Sequence, residues 1–313
     1  MSTVLKRFSL VGVAVALLAT GCGTGPAKAG SAAIVGDQTV NLETVQERTV
    51  KVLKKEPAAQ QMQGQGKLDQ VSRLVLADEI NHKIAERAGQ LENITVDETK
   101  VYDAIAEKGG AEAASKQSEQ DETTIHRHQR DVLVMGELAR RNLSTLQIVI
   151  DFFQVQDPKE AKEKAAEVAA DSSKMARFVQ EAPRTTGGQQ ASATGQKVRV
   201  TENPSLVHTM LWGVKPGTVV AFPADEQQSS WMVALVKERN KVSPVPGEED
   251  LIERIDPQLL AAFGLRIAQF LTADQKIEVN PRYGVWDPTN AQVVGSAGER
   301  AGYVGVSTTK NKS

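Results

Sequence analysis

Residues 211–239 read LWGVKPGTVVAFPADEQQSSWMVALVKER. Lys215-Pro216-Gly217 is a turn, because proline pre-sets the backbone angle and glycine accepts conformations that other residues avoid. Val219-Val220-Ala221-Phe222 and Trp231-Met232-Val233-Ala234-Leu235-Val236 are apolar and rich in β-formers, so they read as strands. Upstream, Leu146-Gln147-Ile148-Val149-Ile150 is a β-rich run. Asp157-Pro158 then opens a helix over about 159–171, and a second short helix covers about 173–182. Residues 183–196 have no apolar pattern and read as a loop. Lys197 to Val200 alternates as a half-buried strand, and Pro204 to Trp212 reads as a helix. The resulting order, β-α-α-β-α-β-β, makes 144–240 a small α+β domain.

The flanks are different. Ala33 to Val40 reads as two short strands around a Gly36-Asp37 turn. Residues 42–55, 67–89 and 94–107 then carry helical patterns, and another helix has its apolar part at Val132 to Leu138. Asp78 interrupts the stripe of the second helix. Thr95 and Glu98 have the spacing of a reciprocal N-terminal cap. The segment 33–143 is thus expected to be helical. On the other side, 241–248 is a proline-rich linker. Asp256-Pro257 starts a helix whose apolar face (Leu260, Phe263, Ile267, Phe270, Leu271) needs a partner surface, and Ile277-Glu278-Val279 is a short strand. Residues 249–280 are expected to dock this helix and strand on 33–143. Residues 288–313 are small and polar and are expected to be disordered. The predicted class is α+β, mainly helical.

The chain has 313 residues, with 37 Lys+Arg against 39 Asp+Glu and only 4% aromatics. The mild acidity gives no electrostatic reason to expect nucleic acid as a partner. One cysteine, Cys22, excludes an internal disulfide. Two positive charges, an apolar run at 8–19 and small residues before Cys22 have the order of a secretory signal. Leu18-Ala19-Thr20-Gly21-Cys22 resembles a bacterial lipobox, in which the cysteine sulfur receives a diacylglycerol. Leu18 lies one place further out than in the usual pattern. The expectation is a signal peptide over 1–21, lipid attachment at Cys22, and a flexible tether over 22–32 that holds the body at the outer face of a cell membrane.

Two stretches, AIVGDQTVNLETVQERTVKVL at 33–53 and ITVDETKVYDAIAE at 94–107, are similar to the helical N-terminal domain of the SurA-type and PrsA-type chaperones. LWGVKPGTV and WMVALVKER resemble the closing segments of a parvulin domain. The resemblance implies a SurA-type helical domain completed by a C-terminal helix, beside a parvulin-like domain. It implies clients that are unfolded or newly exported polypeptides. Parvulins isomerise X-Pro bonds with two facing histidines, a nearby Cys or Asp and an apolar pocket. Carried over one position at a time, the polar positions fall on Gln147, Gln196 and Met232, and the pocket keeps Leu206 and Met232. A glutamine hydrogen-bonds but does not titrate as an imidazole pair does. The resemblance with those departures implies client binding at these four positions, no catalytic residue and no cofactor.

His82, His126, His128 and His208 form no ligand set, and a zinc or other metal site is not expected. Two other readings stay open: an active parvulin-type isomerase with an unusual site, and a solute-binding lipoprotein.

Overall fold

The computed structural model describes residues 29–308, apart from 117–119, 187–188, 225–228, 247 and 249–254. The expected signal peptide and Cys22 lie outside the described residues. Among those described, no helix is long and apolar enough to cross a membrane.

The chain enters through a hairpin, β1 (Ser31–Val35) and β2 (Gln38–Asn41), which turns at Gly36 with φ +60°. Helices α1 (Leu42–Lys55), α2 (Pro57–Gly64), α3 (Leu68–Leu91), α4 (Glu98–Glu107), α5 (Ala111–Ser115) and α6 (Ile125–Leu143) follow. The cap of α4 is Asp97, whose side chain accepts from Thr99 N–H at 2.9 Å, rather than the expected Thr95. The glutamine-rich stretch at 60–66 stays helical to Gly64, because Pro57 at the first position starts a separate helix.

Asp78, the residue that breaks the apolar stripe of α3, belongs to a buried ion cluster. Arg48 of α1 is 4% exposed and donates to Asp78 at 2.9 Å and Glu79 at 2.5 Å. Arg127 of α6 donates to both carboxylate oxygens of Glu79, at 2.8 and 3.1 Å. Gln120 adds a bond to Asp78 at 2.7 Å, so three helices and the segment before α6 meet on two carboxylates. His82 of α3 is largely buried against Asp131 at 2.8 Å. Burial alone would push the Asp78 carboxyl up. The hydrogen bond from His128 and the positive charge of Arg48 outweigh it and hold it at about 2. Glu79 is lowered in the same way, burial opposing Arg127 and Arg48.

A folded-state value below the unfolded one contributes stability above the unfolded value, which is lost as pH falls. Asp78, moved from 3.8 to about 2, therefore contributes about 2 kcal/mol at neutral pH, lost between about pH 4 and 2. Asp131, raised chiefly by burial, has the opposite sign. The urea midpoint is expected to fall steeply below pH 4. In Asp78→Asn that slope should be shallower; an unchanged slope would remove Asp78 from the account.

The next elements are β3 (Leu146–Val155), α7 (Pro158–Ala170) and α8 (Lys174–Glu181). A two-residue hairpin follows, β4 (Thr185–Thr186) and β5 (Gln189–Gln190), and then β6 (Ser192–Arg199). The stretch 183–196 is thus partly strand, not loop. One side of β6 forms the sheet edge, and an edge strand needs no regular apolar alternation. The expected helix at 204–212 is two 3-10 turns, Pro204–Leu206 and Met210–Gly213, separated by extended Thr209. Side chains take the carbonyls a helix would use. Trp212 Nε1 donates to Leu206 O at 2.8 Å, and Arg266 Nε to His208 O at 2.8 Å. Strands β7 (Thr218–Pro223) and β8 (Trp231–Lys241) complete this region.

Helix α9 (Pro257–Leu271) is capped by Asp256, which accepts from Gln258 N–H at 2.7 Å. It packs on α6 and α3, and β9 (Ile277–Val279) pairs antiparallel with β1 as the third strand of the entry sheet. The tail is not disordered through the described residues. Strands β10 (Val285–Asp287) and β11 (Gln292–Val294) form a hairpin beside α3, and β12 (Tyr303–Val306) pairs with β7. The tail buries Tyr283, Trp286, Ala291 and Val293 on an existing core. Arg266 donates to the Pro288 and Thr289 carbonyls at 3.2 and 2.7 Å, and Asp287 accepts from the Thr289 and Ala301 N–H groups. Average composition hid these anchors.

The main sheet has the order β12-β7-β8-β3-β6. Helices α7 and α8 cover one face, where Phe153 meets Phe178 at 5.5 Å. The other face (Ile148, Ile150, Phe152, Val220, Ala234, Val236) joins the core of the helical body through Trp212. Trp212 meets Phe263 of α9 edge-to-face at 5.7 Å. One apolar core therefore runs from the entry hairpin to the main sheet.

Candidate functional site

A cleft of about 1160 Å³ opens where the helical body, α9, the tail and the main sheet meet. Its walls include Met210 and Val214 from the 3-10 region, Gln269 and Thr272 from the end of α9, Ile277 and Val279 of β9, Val285 and Trp286 of β10, and Val304 and Val306 of β12. Each wall has a local reason. The helix end is set by Thr272, whose hydroxyl caps the Ala268 carbonyl at 2.9 Å. Just before β10 the chain runs so close to the end of β11 at Gly284, with φ +120°, that a Cβ there would overlap the Val294 carbonyl.

Charges sit on the exposed rim. Lys215, before β7, reaches both oxygens of Asp274, beyond α9, at 2.6 and 2.7 Å. Lys276 meets Glu278 at 2.6 Å. Such exposed pairs are weak, about 0–1 kcal/mol each, and exchange readily with water or an incoming chain. Among the described residues that line the cleft there is no histidine, serine or cysteine. Apolar walls interspersed with Thr218, Thr272 and Gln269 suit recognition of apolar groups and backbone.

The positions picked from sequence do not converge on this cleft. Cys22 lies outside the described residues. Gln147 pairs with Asn240, whereas Met232 pairs with Gln154 at the far end of β3. Gln147 alternates with Leu146 and Ile148, which enter the main core, so it points to the opposite face from Met232. Gln196 lies opposite Ile150 on β6 and donates to the Lys197 carbonyl at 3.0 Å. Leu206 is half-buried beside Trp212. The register of β3 shifts against both β6 and β8, between Ile150 and Phe152 and between Val149 and Ile150. On the core face, beyond the bulge at Val149/Ile150, the opposed β3–β8 pairs are Ile150–Val236, Phe152–Ala234 and Gln154–Met232. None is a titrating pair.

Sequence reasoning missed Trp286, which lies between the expected strand and the expected tail, and Val304 and Val306, which it assigned to a disordered tail. The signal was Val-Trp-Asp at 285–287 and Tyr-Val-Gly-Val at 303–306, two short β-prone runs. Among the described residues there is no cluster of three or more His, Cys, Asp or Glu able to hold a metal.

No protein-family model and no curated protein sequence matches the chain. Among solved structures it is similar to the peptidylprolyl isomerase PrsA of Bacillus anthracis, at 15% identity and TM-score 0.22, covering 64% of this chain and 98% of that one. It is also similar to the foldase PrsA of Streptococcus pneumoniae, at 16% identity and TM-score 0.23, covering 77% and 92%. The foldase PrsA of Lactococcus lactis matches at 14% identity and TM-score 0.22, covering 76% and 85%.

Proposed function

We propose that the protein is a lipid-tethered extracytoplasmic chaperone, which holds unfolded or newly exported polypeptides without isomerising X-Pro bonds. The observation that carries this reading is the cleft at the junction of the helical body, tail and sheet. Its volume of about 1160 Å³ is larger than that of most small-molecule pockets, which are roughly 300–1,000 Å³. Its walls include valine, isoleucine, methionine and tryptophan beside Thr218, Gln269 and Thr272, under a rim of weakly held ion pairs. An unfolded chain offers the matching chemistry, apolar side chains and unpaired backbone, and binding it needs no ATP. Lipid on Cys22 and a tether over 22–32 would keep that cleft beside chains as they emerge. Gln147 and Met232, on which the resemblance places the parvulin histidines, do not titrate, and this favours holding over isomerisation.

Two assays test it. The protein at equimolar ratio is expected to suppress aggregation of a chemically denatured exported protein. A protease-coupled proline-peptide assay is expected to give no acceleration over the uncatalysed rate. Aggregation that proceeds unchanged would sink the chaperone reading, and isomerase turnover would replace it with the enzymatic one.

A further inference from the structure

The two edges of the main sheet are built differently. At β6 the pairing with β3 shifts between Ile150 and Phe152, Gly195 takes φ +64°, and Lys197 adds a charge. Bulges and charges of this kind keep foreign strands from adding to an edge. At the other end, β12 is Tyr-Val-Gly-Val, with no charge, no proline and an unbroken register against β7 from Tyr303↔Ala221 to Val306↔Thr218. Among the described residues no strand lies beyond it.

The ladder also says which backbone groups are spare. Ser307 N–H donates to Gly217 O at 2.8 Å. In an antiparallel pair the bonding residues alternate, so Gly305 and Tyr303 face β7, while the N–H and C=O groups of Val304 and Val306 face outward. Val306 is 72% exposed, which is high for a β-branched side chain in a strand. Both valines line the cleft.

From this we infer that the outer edge of β12 is a strand-addition site, and that its occupant is an extended segment of unfolded polypeptide. The inference rests on the chaperone reading and specifies how the cleft holds its client. The incoming segment would add a sixth strand. Its main chain would bond to Val304 and Val306, and alternate apolar side chains would turn into the cleft. The site favours a single unfolded chain over a second copy of the protein. The edge is only four residues long and opens into a cleft walled also by Trp286 and by Ile277 of β9, so a folded partner's own sheet would have to enter that space.

The probe is a fluorescein-labelled decapeptide of alternating valine and threonine with lysine ends, read by anisotropy. Its comparison is the same peptide with the amides of one edge N-methylated. Expected is at least a tenfold weaker affinity for the methylated peptide. An equal loss is expected in the variant Val306→Pro, which removes an outward N–H and leaves the bonds to β7 in place. Val306→Thr, which keeps the N–H, should lose far less affinity than Val306→Pro. Circular dichroism on each variant confirms folding, and the methylated peptide tests the idea on the unaltered protein.

Equal binding of both peptides overturns the inference. If aggregation is suppressed while the methylated peptide binds undiminished, the chaperone reading survives and strand addition does not. If neither aggregation nor peptide responds to the protein, both fall. Concentration-dependent dimerisation in sedimentation, abolished by Val306→Pro, would assign the edge to a second copy and overturn the client assignment.

Discussion

Gly264→Ala is expected to destabilise the protein by about 3 kcal/mol, read as a lower urea midpoint at unchanged slope. The sign is opposite to ordinary helix chemistry. Within a helix, alanine is better than glycine by about 1 kcal/mol. Gly264 lies in the middle of α9, and a Cβ there would overlap the carbonyl and Cα of Met135 in α6. The obstacle is backbone, which cannot swing aside as a side chain does. The two helices would have to separate, and Phe263 would lose its seat against Trp212. Because α9 links the helical body to the main sheet through that contact, the cleft should widen or lose definition as well. Gly64 is the counterpart. It ends α2 with nothing within 4 Å of its ideal Cβ, so Gly64→Ala is expected to be neutral or stabilising by up to about 1 kcal/mol. If both variants shift the midpoint alike, the close approach of α9 and α6 is not what Gly264 provides.

Arg48→Met is expected to cost roughly 3–5 kcal/mol. Glu79 is 4% exposed and holds two arginines, so losing Arg48 leaves a buried carboxylate under-compensated. Asp78 loses its partner at 2.9 Å in the same step. The charge, not the packing volume, should dominate. Arg48→Met combined with Glu79→Leu is therefore expected to recover much of the loss, because the orphaned charge is gone while Asp78 still lies 3.5 Å from Arg127. A double variant as unstable as the sum of the two single ones would mean that Arg48 acts by filling space. The single variant should also show a weaker acid transition, since one of the two groups that hold Asp78 down is missing while His128 remains.

Most helices and strands were legible because their signals are local. Asp157 and Asp256 each precede a proline, and each caps its helix as read. The valine runs at 219–222 and 231–236 are strands. Reading failed where a distant partner supplies what the local chain lacks. Pro204 to Trp212 looked helical until Arg266 and the Trp212 indole took its carbonyls. The interruption at Asp78 looked like a flaw in an apolar face, and its reason lies thirty residues back at Arg48. Gln147, Gln196, Leu206 and Met232 were legible as residue types, whereas their spacing over β3, β6, a 3-10 turn and β8 is set by the sheet.

What the chain determined by itself is the α+β class, the order of its main elements and the apolar face of α9, all of which follow from periodicity and capping within one or two turns. Only the tertiary structure decided where the tail goes. Taken alone, 288–308 is too small and polar to bury a core. Docked, its few apolar residues join a core already formed, and their ordering is offset by burial that α3, α9 and β7 provide. The cleft and its open β12 edge exist only through that docking, which is why no local motif announced them.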